Sequence, residues 1–337
     1  MNGERKLKIT KQILSLALIM FLTMVLIACE IEEKPVSQSE DKQILRIATL
    51  KGPTGMGMVQ LIENNLHGKT QLHYDITLYD SPDAMIGKIV NGEVDIAAVP
   101  SNVALLLYNR TNGAVQLAGV NTLGVLYVLE NGQKIQTVED LKGNQIGISG
   151  KGATPDFITR YILEQNGIKP DEDVQLEFKL EHADLATAMA AGDVKIAVLP
   201  QPHVTTAIAK NPQIRVALDL NQQWSSSTGG NILPMGSIVV QKSIAQSNPE
   251  LIHTFLEEYN QSVTFVNEQM DLAAEWMEKH NILPKKEIAR KAIPDSNIVL
   301  MKAVDAKPYL EHYYQTLFDY EPKSVGGKLA DEGFYFQ

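Results

Sequence analysis

The chain has 337 residues, with 30 Lys and Arg against 40 Asp and Glu for a formal charge of −10 at pH 7, and 44% of its residues are apolar. An acidic balance of that size argues against a nucleic-acid-binding surface. Cys29 is the sole cysteine, which excludes an internal disulfide and a cysteine-built metal site.

At the amino terminus Arg5, Lys6, Lys8 and Lys11 precede an apolar run from Ile13 to Ala28, broken only by Ser15 and Thr23. A basic flank before a short apolar region is the pattern of a secretory leader, and 16 residues fall short of a spanning helix. The next residues, Leu26-Ile27-Ala28-Cys29, resemble the lipobox of bacterial lipoproteins, which implies cleavage before Cys29 and lipidation of its sulfur. Residues 1–28 are then a signal peptide, and 29–43 a lipidated cysteine with a polar tether too poor in apolar surface to order itself. Loss of the leader removes four basic and one acidic residue, leaving 26 Lys and Arg against 39 Asp and Glu.

From residue 44 the pattern is that of an α/β protein. Ile44 to Leu50 reads as a strand, Lys51 to Gly55 as a glycine-rich turn, and Met58, Leu61, Ile62 and Leu66 as a helix face. Leu72 to Tyr79 predicts a second strand, Ser81-Pro82-Asp83 opens a helix through Val90, and Asn91 to Pro100 carries a third strand, after which Ser101 or Asn102 can cap a helix. Val115 to Val120 is a fourth strand, and Val125 to Leu129 follows with no helix between, so the chain leaves its first lobe there. Thr137 with Asp140 predicts a short capped helix, followed by strand Gln145 to Ser149, helix Pro155 to Asn166, strand Val174 to Leu180, helix Asp184 to Ala191, a strand ending at Pro200, and a helix from Pro202. Gln213 to Leu220 is a further strand, and the polar stretch Gln222 to Asn231 reads as a surface loop. Beyond the strand at Met235 to Val240, Ser247 and Glu250 predict a capping box, and the rest is helical with a core stripe of Leu251, Phe255, Tyr259, Val263 and Val266.

Two segments repeat at an offset of 100. Asn91 to Pro100 matches Ala191 to Pro200 at six of ten positions, counting Glu93 with Asp193, and Lys51-Gly52-Pro53-Thr54 is answered by Lys151-Gly152-Ala153-Thr154. One offset shared by two motifs indicates twin lobes. The lipobox, the acidic tether, these paired motifs and Asp140-Leu141-Lys142-Gly143-Asn144-Gln145-Ile146-Gly147-Ile148 together resemble the type II periplasmic-binding-protein fold. Within it, the chain resembles the sulfonate, nitrate and thiamine-precursor-binding branch of ABC-importer solute-binding lipoproteins. The resemblance covers residues 44–320 and implies a clamshell of two Rossmann-like lobes joined by two hinge strands. Lobe one is expected from 44–121 plus 236–337, with a helical C-terminal region packed on it, and lobe two from 122–235.

In open α/β sheets ligands sit beyond the carboxyl ends of the strands, where helix N-termini offer free N–H groups. That rule selects Thr54, Gly55 and Met56, Ser81, Ser101 and Asn102 in lobe one, and Gly152, Ala153 and Thr154, His182, Gln201 and Pro202 in lobe two. Glycine admits a ligand close to the backbone, hydroxyls supply hydrogen bonds, and Met56 and Met235 offer adaptable apolar walls. Ser81 serves equally as an ordinary helix cap, and Lys51 and Lys151 are available to an anion. The seven histidines show no ligand spacing, so no metal is expected. Gly147-Ile148-Ser149-Gly150-Lys151 lacks the second glycine of a nucleophile elbow, Gln60 stands where a dinucleotide fingerprint needs glycine, and no Walker sequence occurs. The sequence therefore predicts no enzyme and no cofactor. What is expected is a monomeric receptor, lipid-anchored on the extracytoplasmic face of the membrane, that holds a small polar ligand, anionic or heterocyclic, for an ABC permease and its ATPase. A receptor that senses its ligand without transport is the alternative.

Overall fold

The computed structural model describes residues 44–337; the leader, Cys29 with its expected lipid, and the tether up to residue 43 lie outside the described residues. No helix among the described residues is long and apolar enough to cross a membrane. The chain begins with β1 (Ile44–Leu50), α1 (Pro53–Met56), α2 (Val59–Leu66), β2 (His73–Tyr79), α3 (Asp83–Val90), β3 (Ile96–Pro100), α4 (Ser101–Arg110) and β4 (Val115–Thr122). Apolar β1 pairs in parallel with β2 along its whole length and with β3 from Ile47 opposite Ile96, which buries both faces of its carboxyl half. Gly52, at φ 84°, supplies the left-handed turn that sends the chain from β1 straight into α1.

After a first crossing at residues 123–125 come β5 (Leu126–Asn131), β6 (Gln145–Ile148), α5 (Thr154–Gln165), β7 (Gln175–Glu177), α6 (His182–Ala191), β8 (Ile196–Pro200), α7 (His203–Lys210), β9 (Ile214–Asp219) and α8 (Leu220–Ser227). The chain then returns as β10 (Gly236–Gln241), α9 (Lys242–Ser247), α10 (Pro249–Glu268), α11 (Met270–Lys279), α12 (Lys286–Ala292), β11 (Ile298–Lys302) and α13 (Ala303–Tyr320). The larger sheet has the order β11-β4-β10-β3-β1-β2 and the smaller β7-β6-β8-β5-β9. The two match strand for strand except at one edge. In each, the strand that follows a crossing, β10 or β5, lies antiparallel between its neighbours. The first crossing is gripped by Asn297, whose carbonyl accepts from Leu123 N at 3.1 Å and whose Nδ2 donates to Gly124 O at 2.5 Å.

Several local expectations need correction. The polar stretch after β9 is not a loop but helix α8: the Asp219 carboxylate accepts from the backbone N–H groups of Asn221 and Gln222, and Leu220 and Trp224, four residues apart, are both buried. β11 is a strand inside the region read as almost wholly helical, added to the sheet edge outside β4. No capping box forms at Ser247, because its hydroxyl donates to Ile244 O and Asn248 takes the cap position of α10 without a side-chain bond. Strand β7 is three residues long, well short of Val174 to Leu180. The stripe on α10 does pack inward, with Phe255, Tyr259, Val263 and Val266 buried and Leu251 half-buried. Helix α13 packs on β4 of lobe one and also reaches lobe two, where Tyr320 stacks on Phe157 with ring centres 6.0 Å apart.

Lobe one holds a buried carboxylate, Glu63 on α2, which accepts from Lys279 Nζ at 2.7 and 2.9 Å and meets His280 Nε2 at 2.6 Å and His67 Nε2 at 3.1 Å. The Lys279 bond, opposed by burial and helped by the two histidines, lowers the Glu63 carboxyl from 4.5 to about 2. A folded value below the unfolded one stabilises the fold above about pH 4.5, and that contribution is lost as pH falls through about 2. Glu63→Gln is therefore expected to flatten the loss of stability across this acid window. Urea midpoints at several pH values check it, and parallel curves for variant and parent would contradict the assignment.

Candidate functional site

The carboxyl ends of β1, β3, β6 and β8 hand the chain to α1, α4, α5 and α7, so the N-termini of these helices lie at one end of each sheet. At two places these turns meet across the lobes. A Cβ built on Gly52 would lie 4.0 Å from Pro202 Cδ, so the first turn of lobe one abuts the turn before α7. Asn102, second residue of α4, accepts at Oδ1 from the Thr154 hydroxyl at the start of α5, at 3.5 Å. The contacts join positions that sequence selected on both lobes.

Not every selected residue faces this junction. Gly55 has no room for a side chain, because a Cβ there would stand 2.2 Å from Leu50 O, and its missing side chain serves the β1–α1 packing. Met56 is fully buried in the core and forms no cleft wall. Ser81 is exposed, Pro82 takes the cap position of α3, and no side chain caps that helix. Ser101 is buried and pairs through Oγ with Ser237 Oγ at 2.9 Å, so its hydroxyl ties α4 to β10 instead of capping a helix. The Gln201 side chain accepts from Thr205 N and Thr205 Oγ1, at 3.3 and 2.8 Å, and is consumed within α7. Thr54 is half-buried, and its carbonyl accepts from Asn121 Nδ2 at 3.1 Å. Met235 is half-buried against the core, with its carbonyl accepting from Ser101 N.

In lobe two, Gly152 (φ 71°) is exposed and donates its N–H to Asp156 Oδ2 at 2.9 Å, while half-buried Ala153 is the extended residue before α5. Thr154 is 7% exposed and lies 3.1 Å from the Tyr313 hydroxyl. His182, first residue of α6, hydrogen-bonds through Nδ1 to Ser149 Oγ at the end of β6, and its ring lies 5.4 Å from that of His203, first residue of α7. Burial lowers the His182 imidazole, and burial followed by the neighbouring His182 pushes His203 down to about 4. Burial thus favours the neutral form of both rings, in which an imidazole has one donor and one acceptor nitrogen. Lys51 pairs with Asp80 at 2.8 Å, and Lys151 sits 5.9 Å above the Phe178 ring. Among the described residues no three His, Cys, Asp or Glu side chains gather as a metal site.

Sequence reasoning missed Ser149, His203 and Tyr313. Ser149 carried a usable signal, since its twin at the offset of 100 is Thr49 and both hydroxyl residues are buried at the end of a central strand. His203 directly follows the selected Pro202. Tyr313 lies 159 positions from Thr154, and no local pattern announces it. The resulting arrangement is a set of neutral donors and helix N-termini, suited to binding acceptor-rich groups. It contains no orienting carboxylate on His182 among its hydrogen bonds.

The profile of the family described as ABC transporter, phosphonate, periplasmic substrate-binding protein matches residues 56–283. The chain is 22% identical over 262 residues to YtlA of Bacillus subtilis (strain 168), a candidate binding protein, covering 66% of this chain and 77% of that one. Among solved structures it resembles an ABC transporter protein from Parabacteroides distasonis, with TM-score 0.75, 24% identity, and coverage of 87% of this chain and 99% of that one. It also resembles the periplasmic aliphatic sulphonate binding protein SsuA from Escherichia coli, with TM-score 0.70, 18% identity, and coverage of 87% and 92%. At these identities the structural likeness shows the fold.

Proposed function

The chain belongs to the ABC-transporter phosphonate periplasmic substrate-binding protein family, and on that premise we propose that it captures a compact oxyanion, of the phosphonate or sulfonate type, between its lobes and delivers it unchanged to a permease. The observation that carries the ligand class is the meeting of the α4 and α5 N-termini through Asn102 and Thr154. Helix N-termini and hydroxyl donors favour acceptor oxygens, and neutral imidazoles add donors without adding charge.

Micromolar affinity corresponds to about −8 kcal/mol. A hydrogen bond to a charged group contributes about 1.5–3 kcal/mol and a helix terminus about 0.3–1 kcal/mol. Several contacts from both lobes are therefore required, which is the reason for assigning closure of 44–121 plus 236–337 against 122–235. The receptor acts as a monomer, held to the extracytoplasmic membrane face by lipid on Cys29.

A thermal-shift panel of methylphosphonate, methanesulfonate, nitrate and neutral heterocycles tests the ligand class. An oxyanion at a hundred times its dissociation constant adds about 2.7 kcal/mol, which moves the midpoint by several degrees. If only neutral compounds shift it, the oxyanion assignment is wrong. For the anchor, Cys29→Ala is expected to release the protein from the membrane fraction, and continued membrane association would refute lipidation there.

A further inference from the structure

Tyr313 lies on the C-terminal helix α13, far from the selected turns, yet its side chain is fully buried and its hydroxyl stands 3.1 Å from Thr154 Oγ1. A buried phenol needs a partner for its proton. The Thr154 proton is engaged elsewhere, since Oγ1 donates to Asn102 Oδ1. The phenol proton therefore goes to a lone pair of Thr154 Oγ1, the one hydrogen-bond partner of the phenol oxygen among the described residues. The ring cannot swing away: it packs at 65° to Trp224 and at 59° to Tyr314, and the Tyr314 hydroxyl donates to Ser101 O at 3.0 Å.

We propose that Tyr313 is a positioning residue of the ligand site, which by donating to Thr154 Oγ1 fixes that hydroxyl as a donor aimed at the cleft. The inference rests on the oxyanion reading above and adds what makes the site select for acceptors. A threonine hydroxyl left alone rotates and either gives or takes a hydrogen bond. Once its oxygen accepts from Tyr313, its own proton is the part left for the partner in front of it. The successive donors, Tyr313 O–H and Thr154 O–H, run in one direction and polarise one another. In the present arrangement the last acceptor is Asn102 Oδ1, at a distance of 3.5 Å. So long a bond is weak and is readily exchanged for a shorter one to a ligand oxygen.

The test is a double-mutant cycle on binding, with Tyr313→Phe and Thr154→Val, read by calorimetry with the tightest binder among methylphosphonate, methanesulfonate and nitrate. Phenylalanine keeps the ring and its packing. Tyr313→Phe is expected to weaken binding about tenfold when Thr154 is present and to have no effect on affinity in the Thr154→Val background. A merely structural tyrosine lowers affinity alike in both backgrounds, and that result, or unchanged affinity with Thr154 present, overturns the proposal. If the parent protein binds none of the three anions, the oxyanion reading fails first and the relay falls with it. Parent binding that Tyr313→Phe leaves untouched removes the relay alone.

Discussion

Trp224→Ala is expected to destabilise the protein by about 3–5 kcal/mol, the range for truncating a large buried aromatic side chain. Trp224 has no exposed surface, its Nε1 donates to Ile232 O at 3.1 Å, and its ring contacts those of Tyr161, His312 and Tyr313. The side chain sits where α8 meets α5 of lobe two and α13 from lobe one. Removing it opens a cavity and leaves the Ile232 carbonyl without its donor, so two costs add. Urea unfolding followed by far-ultraviolet circular dichroism measures the change. A loss below about 1 kcal/mol, as for an exposed residue, would mean that α8 is not part of the core.

The second large effect concerns binding. Replacing Asn102 and Thr154 together by alanine removes the side chains that join the α4 and α5 N-termini across the lobes. Two hydrogen bonds to a charged group contribute about 3 kcal/mol or more, so affinity for the preferred oxyanion is expected to fall at least about 100-fold. Stability is expected to fall by about 1–3 kcal/mol, since Thr154→Ala leaves the buried Tyr313 phenol without its acceptor. Calorimetric titration with a parallel unfolding curve separates the two quantities. Full affinity in the double variant would place the ligand elsewhere.

Much of the architecture was legible because it is written in short-range pattern. The strands β3 and β8 are apolar runs ended by proline, β1, β4 and β6 stop two residues before a glycine, and the offset of 100 between Gly92 and Gly192, both left-handed, exposed the twin lobes. Helix α8 was not legible, because its polar residues outnumber its apolar ones and its cap, Asp219, looked like the end of a strand. β11 escaped for the converse reason: an edge strand of five residues among helices is recognised by its partner β4, which lies far off in sequence. The candidate site divided in the same way. The strand-to-helix rule selects Thr154 and Asn102, which meet across the lobes, and also Gly55, packed so that a side chain would strike Leu50 O, and Met56, whose side chain turns into the core. A turn fixes where a residue lies along the chain, and three-dimensional packing decides which way it points.

The antiparallel strand β10 sits between β3 and β4 in the middle of the larger sheet, yet it is synthesised only after the whole of β5 to α8. Until it arrives, β3 and β4 have no hydrogen-bonding neighbour on their facing edges, and unpaired edges are templates for association with other chains. The smaller sheet draws all its strands from one continuous segment and closes without waiting. A chain emerging in order from a ribosome therefore completes its middle before its beginning, and the first third stays open to misassembly until residue 241 is out. Slow synthesis or a truncated message would leave the facing edges of β3 and β4 open.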